Sequence, residues 1–139
     1  MITHIAHVGI AVRSLEEHLP LYRDVLRLPL VGVEEVPEQK VRVAMFKAGD
    51  ANIELLEPLG PDSPIASFLE KRGEGLHHIA YASDDIAADI AHLQSHGVRM
   101  IDERPRQGAH GTLIAFLHPS SSGKVLTELC QHQGATHEH

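Results

Sequence analysis

Tryptophan is absent from this chain, cysteine occurs once, and aromatic residues make up only 4% of it. A single cysteine excludes an intrachain disulfide and a cysteine metal cluster. In its setting, "LTELCQ", Cys130 reads as a small buried hydrophobe rather than a reactive thiol. No stretch approaches the roughly 18 consecutive apolar residues of a membrane span, and the start "MITHIAHVGIAV" lacks the basic flank of an export signal. A cytoplasmic protein without membrane attachment is therefore expected, an organelle matrix being the variant if a transit peptide has been trimmed. Basic blocks are missing as well. Nineteen acidic residues against twelve basic ones leave a net charge of -7, which argues against nucleic acid as a partner.

What is present suits a globular domain. With 139 residues and 42% hydrophobic content, the chain can bury a sizeable core. A connector rich in proline and glycine, "PLGPDSPIASFLEKRGEG", divides it, and Ser63 to Arg72 within that connector reads as a short helix with Pro64 at its first position. Before the connector, Ile2 to Val12 is strand-like. Ser14 to Leu28 carries apolar residues at helical spacing, opened by Ser14 and Glu17 as a capping box. Three short strands are then expected at Pro29 to Val36, Val41 to Lys47 and Ala51 to Glu57. After the connector, Leu76 to Ala82 is strand-like, and Asp84 or Asp85 caps a helix that stops at Gly97. Strands are expected at Val98 to Ile101, Thr112 to Leu117 and Lys124 to Cys130.

The two halves share this order of elements. A shift of 71 positions lays "HVGIA" on "HIAYA" and Ala44-Met45 on Ala115-Phe116, and three extra residues near "HPSSSG" then lay Glu54 on Glu128. A unit with one helix over a small sheet leaves a sheet face uncovered, so two such units should pair. The expected fold is α+β, with paired βαβββ modules forming a cupped mixed sheet around a metal cleft. The modules span 2–58 and 75–131 within one domain of residues 1–131, joined by the connector at 59–74. A polar tail covers 132–139.

The repeat singles out His7, Glu54, His78 and Glu128, each a polar residue inside an apolar, strand-like segment. An unpaired polar or charged group buried there would cost several kcal/mol, so each needs a partner. A divalent ion would satisfy all four together, and nitrogen and oxygen donors without thiolate suit cobalt, manganese, nickel, magnesium or zinc. Singly, each has an ordinary reading, as a hydrogen-bonded strand histidine or a solvent-facing glutamate. Strand alternation turns His77 away from His78, to lie beneath a helix or at an interface, and His4 away from His7, as a surface or core residue. His118, before Pro119, is a turn residue, while His132, His137 and His139 belong to a frayed ending. "RQGAHG" suits a loop with backbone amides near a ligand, or simply turn geometry. Lys71 and Arg72 read as solvated charges.

With "HVGIAV", "ELLEPLGPDSPIASFLEK", "GLHHIAY", "GAHG", "FLHP" and "LTEL" in place, nearly the whole chain, Thr3 to Gln131, resembles the methylmalonyl-CoA epimerases of the vicinal oxygen chelate superfamily, which also includes glyoxalase I. The resemblance implies a glyoxalase-like fold and a homodimer. It implies a divalent ion, cobalt first, held by His7, Glu54, His78 and Glu128. It also implies interconversion of the two C2 epimers of methylmalonyl-CoA in propionyl-CoA metabolism, with Glu128 as ligand and base. A glutamate that one such epimerase carries on the third strand is replaced here by Val43, so Glu54 is expected to serve the other face of the substrate, with Glu38 as a weaker substitute. The alternatives are a glyoxalase I-like metal-dependent lactoylglutathione lyase, which would use the same four ligands, and a drug-sequestering binding protein. Retention of all four ligand positions and the scarcity of aromatics weigh against the binding protein.

Overall fold

The computed structural model describes residues 1–133. His137 and His139 lie outside the described residues. Contacts group the chain into one unit of His7–His77 and another of Met1–Ala6 with the segment from His78 onward. The first strand, β1 (Ile2–Ala11), contributes to both.

In the His7–His77 unit, β1 is followed by a short helix α1 (Leu15–Leu19), then β2 (Leu30–Val36), β3 (Val41–Ala48) and β4 (Ala51–Pro58). The strands lie in the order β2-β3-β4-β1; β4 runs parallel to β1, and the other neighbours are antiparallel. Alternation along these strands sends Ile10, Ile53, Leu55, Ala44 and Phe46 to one face, where α1 covers them with Leu15 and Leu19. Phe46 and Leu55 have no solvent exposure, and the Tyr22 ring packs 5.7 Å from that of Phe46. The connector helix, α2 (Pro64–Arg72), starts on Ser63, whose hydroxyl accepts a hydrogen bond from the Ile65 amide at 3.1 Å. Serine as cap and proline at the first turn make this boundary readable from sequence.

Two expectations for the first helix fail, and each failure has a physical cause. Ser14 makes no side-chain cap. The first amides are taken instead by carboxylates distant in sequence, with Leu15 N–H donating to Glu57 Oε1 at 2.8 Å and Arg13 N–H to Glu74 Oε2 at 2.8 Å. Nor does one regular helix run to Leu28. Pro20 has no amide to donate and crowds the preceding turn, and Pro20–Val25 continues as a wider π-type winding in which Leu26 N–H reaches Leu21 O at 2.7 Å.

The other unit holds β5 (Gly75–Ser83), α3 (Ile86–Ser95), β6 (Arg106–Gln107), β7 (Thr112–Leu117) and β8 (Thr127–His132). The strand order is β1-β5-β8-β7-β6; β8 is parallel to β5 and antiparallel to β7. Asp85 caps α3, accepting from the Ala88 amide at 3.2 Å. Ile86 and Ile90 of α3 pack on Ala115, Leu117 and Leu129, while Ala80, Ala82, Ile114 and Cys130 form a second cluster with Ala6. The strand expected at Val98 to Ile101 shrinks to a single bridge between Met100 and Leu117. Pairing with β7 falls instead to β6, which sequence periodicity had not revealed because it is two residues long. The last strand begins at Thr127 rather than Lys124, which adopts a positive φ of 69° at the preceding turn, and His132 closes it instead of fraying.

The two units are alike in register. Glu54 lies opposite Met45 on one side and Gly9 on the other. Glu128 lies opposite Phe116 and Ala80. These are the same pairs the 71-residue shift predicts, so the three extra residues are absorbed between β7 and β8 without slipping either glutamate to the wrong face.

Candidate metal and proton-transfer site

Parallel pairing of β1 with β4 places Gly9 beside Glu54. His7, two residues earlier, shares the face of Gly9 and hence of Glu54. This face is turned away from the α1-covered core. His7 Nδ1 stands 3.5 Å from Glu54 Oε2, and both residues are buried, at 7% and 5% exposure. Asn52 and Met45 occupy the same face, the Asn52 amide lying 3.5 Å from the Met45 sulfur.

The second unit repeats the construction. Ala80 sits beside Glu128, and His78 precedes Ala80 by two. His78 Nε2 approaches Glu128 Oε1 to 2.9 Å, with exposures of 6% and 3% for the two residues. The Phe116 ring stands edge-on to His78, with centroids 5.7 Å apart. Each unit thus supplies one buried imidazole next to one buried carboxylate. Adjacent donors on an octahedral divalent ion with bonds of about 2.1 Å lie about 3 Å apart, so both pairs fit as neighbouring ligands, and their N,O composition suits the same group of metals.

The glyoxalase/bleomycin resistance protein/dioxygenase superfamily profile matches residues 6–116. The chain belongs to this superfamily. Among curated proteins, it is 47% identical to an uncharacterised protein of Bacillus subtilis, with 94% of each chain covered. It is 41% identical to the ethylmalonyl-CoA/methylmalonyl-CoA epimerase of Cereibacter sphaeroides, covering 94% of this chain and 99% of that one. Among solved structures, a methylmalonyl-CoA epimerase in complex with methylmalonyl-CoA and NH4+ superposes with a TM-score of 0.92 at 38% identity, covering 96% of this chain and 97% of that one. The fold class and the resemblance expected from sequence are both borne out.

His77 and His4 fall where alternation put them. His77 is half-buried and meets Phe68 of α2 edge-on at 5.0 Å, while His4 is exposed. His118 accepts from the Ser120 amide at 3.0 Å and caps a turn. In "RQGAHG", Gly108 donates to Thr112 O at 2.9 Å, and His110 adopts a positive φ of 57°. Val43 is buried and lies two residues along β3 from Met45, on the face of Glu54. Glu38 is exposed on the turn after β2.

Two charged residues escaped the sequence reading. Glu34 is half-buried on β2, directly opposite Val43. Arg106 on β6 pairs with Ile114 of β7, two residues from Phe116. The missing signal in both cases was strand register: Glu34 lies in no motif, and in "RQGAHG" the backbone amides rather than the Arg106 side chain were expected near a ligand. No helix among the described residues is long and apolar enough to cross a membrane.

Proposed function

We propose that this protein is a metal-assisted epimerase that interconverts (2R)- and (2S)-methylmalonyl-CoA in propionyl-CoA metabolism, working as a cytoplasmic homodimer. The observation that carries the reading is the pair of buried, register-equivalent His–Glu couples, His7 with Glu54 and His78 with Glu128. The activities carried by the Cereibacter relative and the solved epimerase support it.

His7, Glu54, His78 and Glu128 together would hold one divalent ion, cobalt being the first choice. When bound, the ion supplies Lewis acidity that favours negative charge on the thioester oxygen and so acidifies the C2 proton. Inverting C2 requires proton removal on one face and proton return on the other. A pair of carboxylates, one ionised and one protonated, meets that need. Glu128 serves one face and Glu54 the other, and their roles exchange with the direction of reaction. Val43, at the position where a third-strand glutamate would stand, is apolar and buried, which leaves proton transfer to the two site glutamates. Burial also keeps bulk water from quenching the carbanionic intermediate.

Incubating the purified protein with one pure epimer, followed by chiral analysis, tests the activity; an unchanged epimer refutes it, and turnover of a glutathione hemithioacetal in its place would favour the lyase. An anomalous-scattering map tests the ion and its four ligands. Solvent-hydrogen exchange tests the division of labour. The E54Q and E128Q variants should become asymmetric, each losing exchange chiefly from one epimer, whereas equal slowing from both epimers contradicts the assignment.

A further inference from the structure

We infer that Arg106 is the oxyanion anchor of the substrate on the His78–Glu128 face. The inference rests on the epimerase reading for the identity of the substrate and deepens it. Opposed residues of paired strands share a sheet face. Arg106 is opposed to Ile114, and Phe116, two residues on, is opposed to Glu128, so all four stand on one face. The guanidinium carbon lies 5.5 Å from the centre of the Phe116 ring, whose edge in turn meets His78.

Two contacts fix the side chain and leave part of it unused. Asp102 Oδ1 accepts from Arg106 Nε at 3.1 Å, while its other oxygen accepts from the Phe116 amide at 2.9 Å. Asp102 is therefore tied to the strand and orients the arginine. The Phe116 ring lies beneath the guanidinium carbon, its centre 5.5 Å from it. The terminal amines, the fork that suits a carboxylate or phosphate, have no other partner among the described residues, and the side chain is 44% exposed.

An acyl-CoA of a dicarboxylic acid approaches as a polyanion. It meets an acidic chain of net charge -7 and a face that already buries the Glu128 carboxylate. A pre-oriented cation two ring contacts from His78 offsets that repulsion and sets the direction of the substrate.

The shared chemistry is an oxyanion, and binding measurements separate its two sources. Calorimetric titration of the purified wild-type protein, R106Q and R106K would use malonyl-CoA, which carries a free carboxylate, propionyl-CoA, which lacks it, and S-malonyl-pantetheine, which lacks the nucleotide phosphates. Loss of one charge-assisted contact should weaken binding about tenfold to a hundredfold in R106Q, with partial recovery in R106K. Weaker malonyl-CoA binding with propionyl-CoA unchanged identifies the carboxylate. Equal weakening for both CoA esters, with S-malonyl-pantetheine unaffected, identifies a phosphate. Unchanged affinity for all three compounds in R106Q overturns the proposal. Should the wild-type protein bind none of them, the epimerase reading itself falls, a result separate from any effect of the variant. D102N supplies a positioning control: it should raise KM with little change in kcat, because it loosens the arginine without removing it.

Discussion

Replacing Gly108 by alanine should destabilise the protein, although its backbone gives no reason to expect this. Gly108 has φ -119° and ψ -166°, an extended conformation open to any residue. On backbone grounds alone, Gly→Ala at such a site stabilises by about 0.4–1 kcal/mol, because the unfolded chain loses freedom. A Cβ at this position, however, would lie 2.7 Å from Ile114 Cγ2 and 2.8 Å from Thr112 Oγ1. Neither neighbour yields easily. Ile114 is buried at 3% exposure, and the Thr112 hydroxyl donates to Ala109 O at 2.7 Å while its carbonyl accepts from the Gly108 amide. Overpacking of this kind costs about 1–3 kcal/mol. The net expectation is a loss of roughly 0.5–2 kcal/mol, the steric cost outweighing the entropic gain. Urea unfolding of G108A measures it directly. Gly32 is the internal control, since nothing lies within 4 Å of a Cβ there, and G32A should be neutral or slightly stabilising. If G108A matches or exceeds wild-type stability, the close approach of this loop to β7, and with it the placement of β6 and Arg106, is wrong.

Three further outcomes follow from the fold. S63A removes the oxygen that caps α2 and should cost about 1 kcal/mol in urea unfolding. F46A empties the centre of the α1-covered core and should cost about 3–5 kcal/mol, measured in the same way. Glu74 is held below the usual carboxylate range by the Arg13 amide first and by His18 second. A depressed carboxyl stabilises the fold above its ordinary pKa and loses that contribution as pH falls through the folded value, so wild type should be more stable than E74Q at neutral pH, by less than about 1 kcal/mol because solvent screens the group, and the gap should close as pH falls through the folded value.

Most of the fold was legible because apolar alternation in the strands and the Ser63-Pro64 and Asp85 caps are local signals. The candidate ligands were legible for a different reason. A histidine or glutamate inside an apolar strand carries a desolvation cost that demands an explanation, and four of them at repeat-equivalent positions narrow the explanations. What failed was decided by tertiary partners. Ser14 lost the cap of α1 to Glu57 and Glu74, residues 42 and 61 positions from the amides they satisfy. No local pattern predicts that exchange, because Ser14 and Glu17 form an acceptable capping box on their own terms. The winding at Pro20 was closer to being readable, since a proline inside a helical pattern is a warning in itself.

Arg106 and Glu34 mark the boundary between these cases. Each is an ordinary surface-type residue in sequence, and each gains meaning only from the residue across the strand from it, Ile114 for one and Val43 for the other. Register is a relation between segments, so it is invisible to any reading that moves along one segment at a time. The internal repeat is the exception, because it compares segments directly, and it located the two glutamates on their strands while each half alone would have left them as surface charges. The same comparison explains why Arg106 stayed hidden. Its register counterpart in the first unit is Glu34, opposite Val43 as Arg106 is opposite Ile114, which stands 72 rather than 71 positions earlier, so the shift misses it and the basic residue of the second unit answers to an acidic one in the first. The inner strands of the two units therefore match at the histidine and glutamate positions, while the outer strands carry opposite charge at register-equivalent positions, Glu34 in one and Arg106 in the other, and a rule that looks for likeness between the halves passes over a residue defined by their difference.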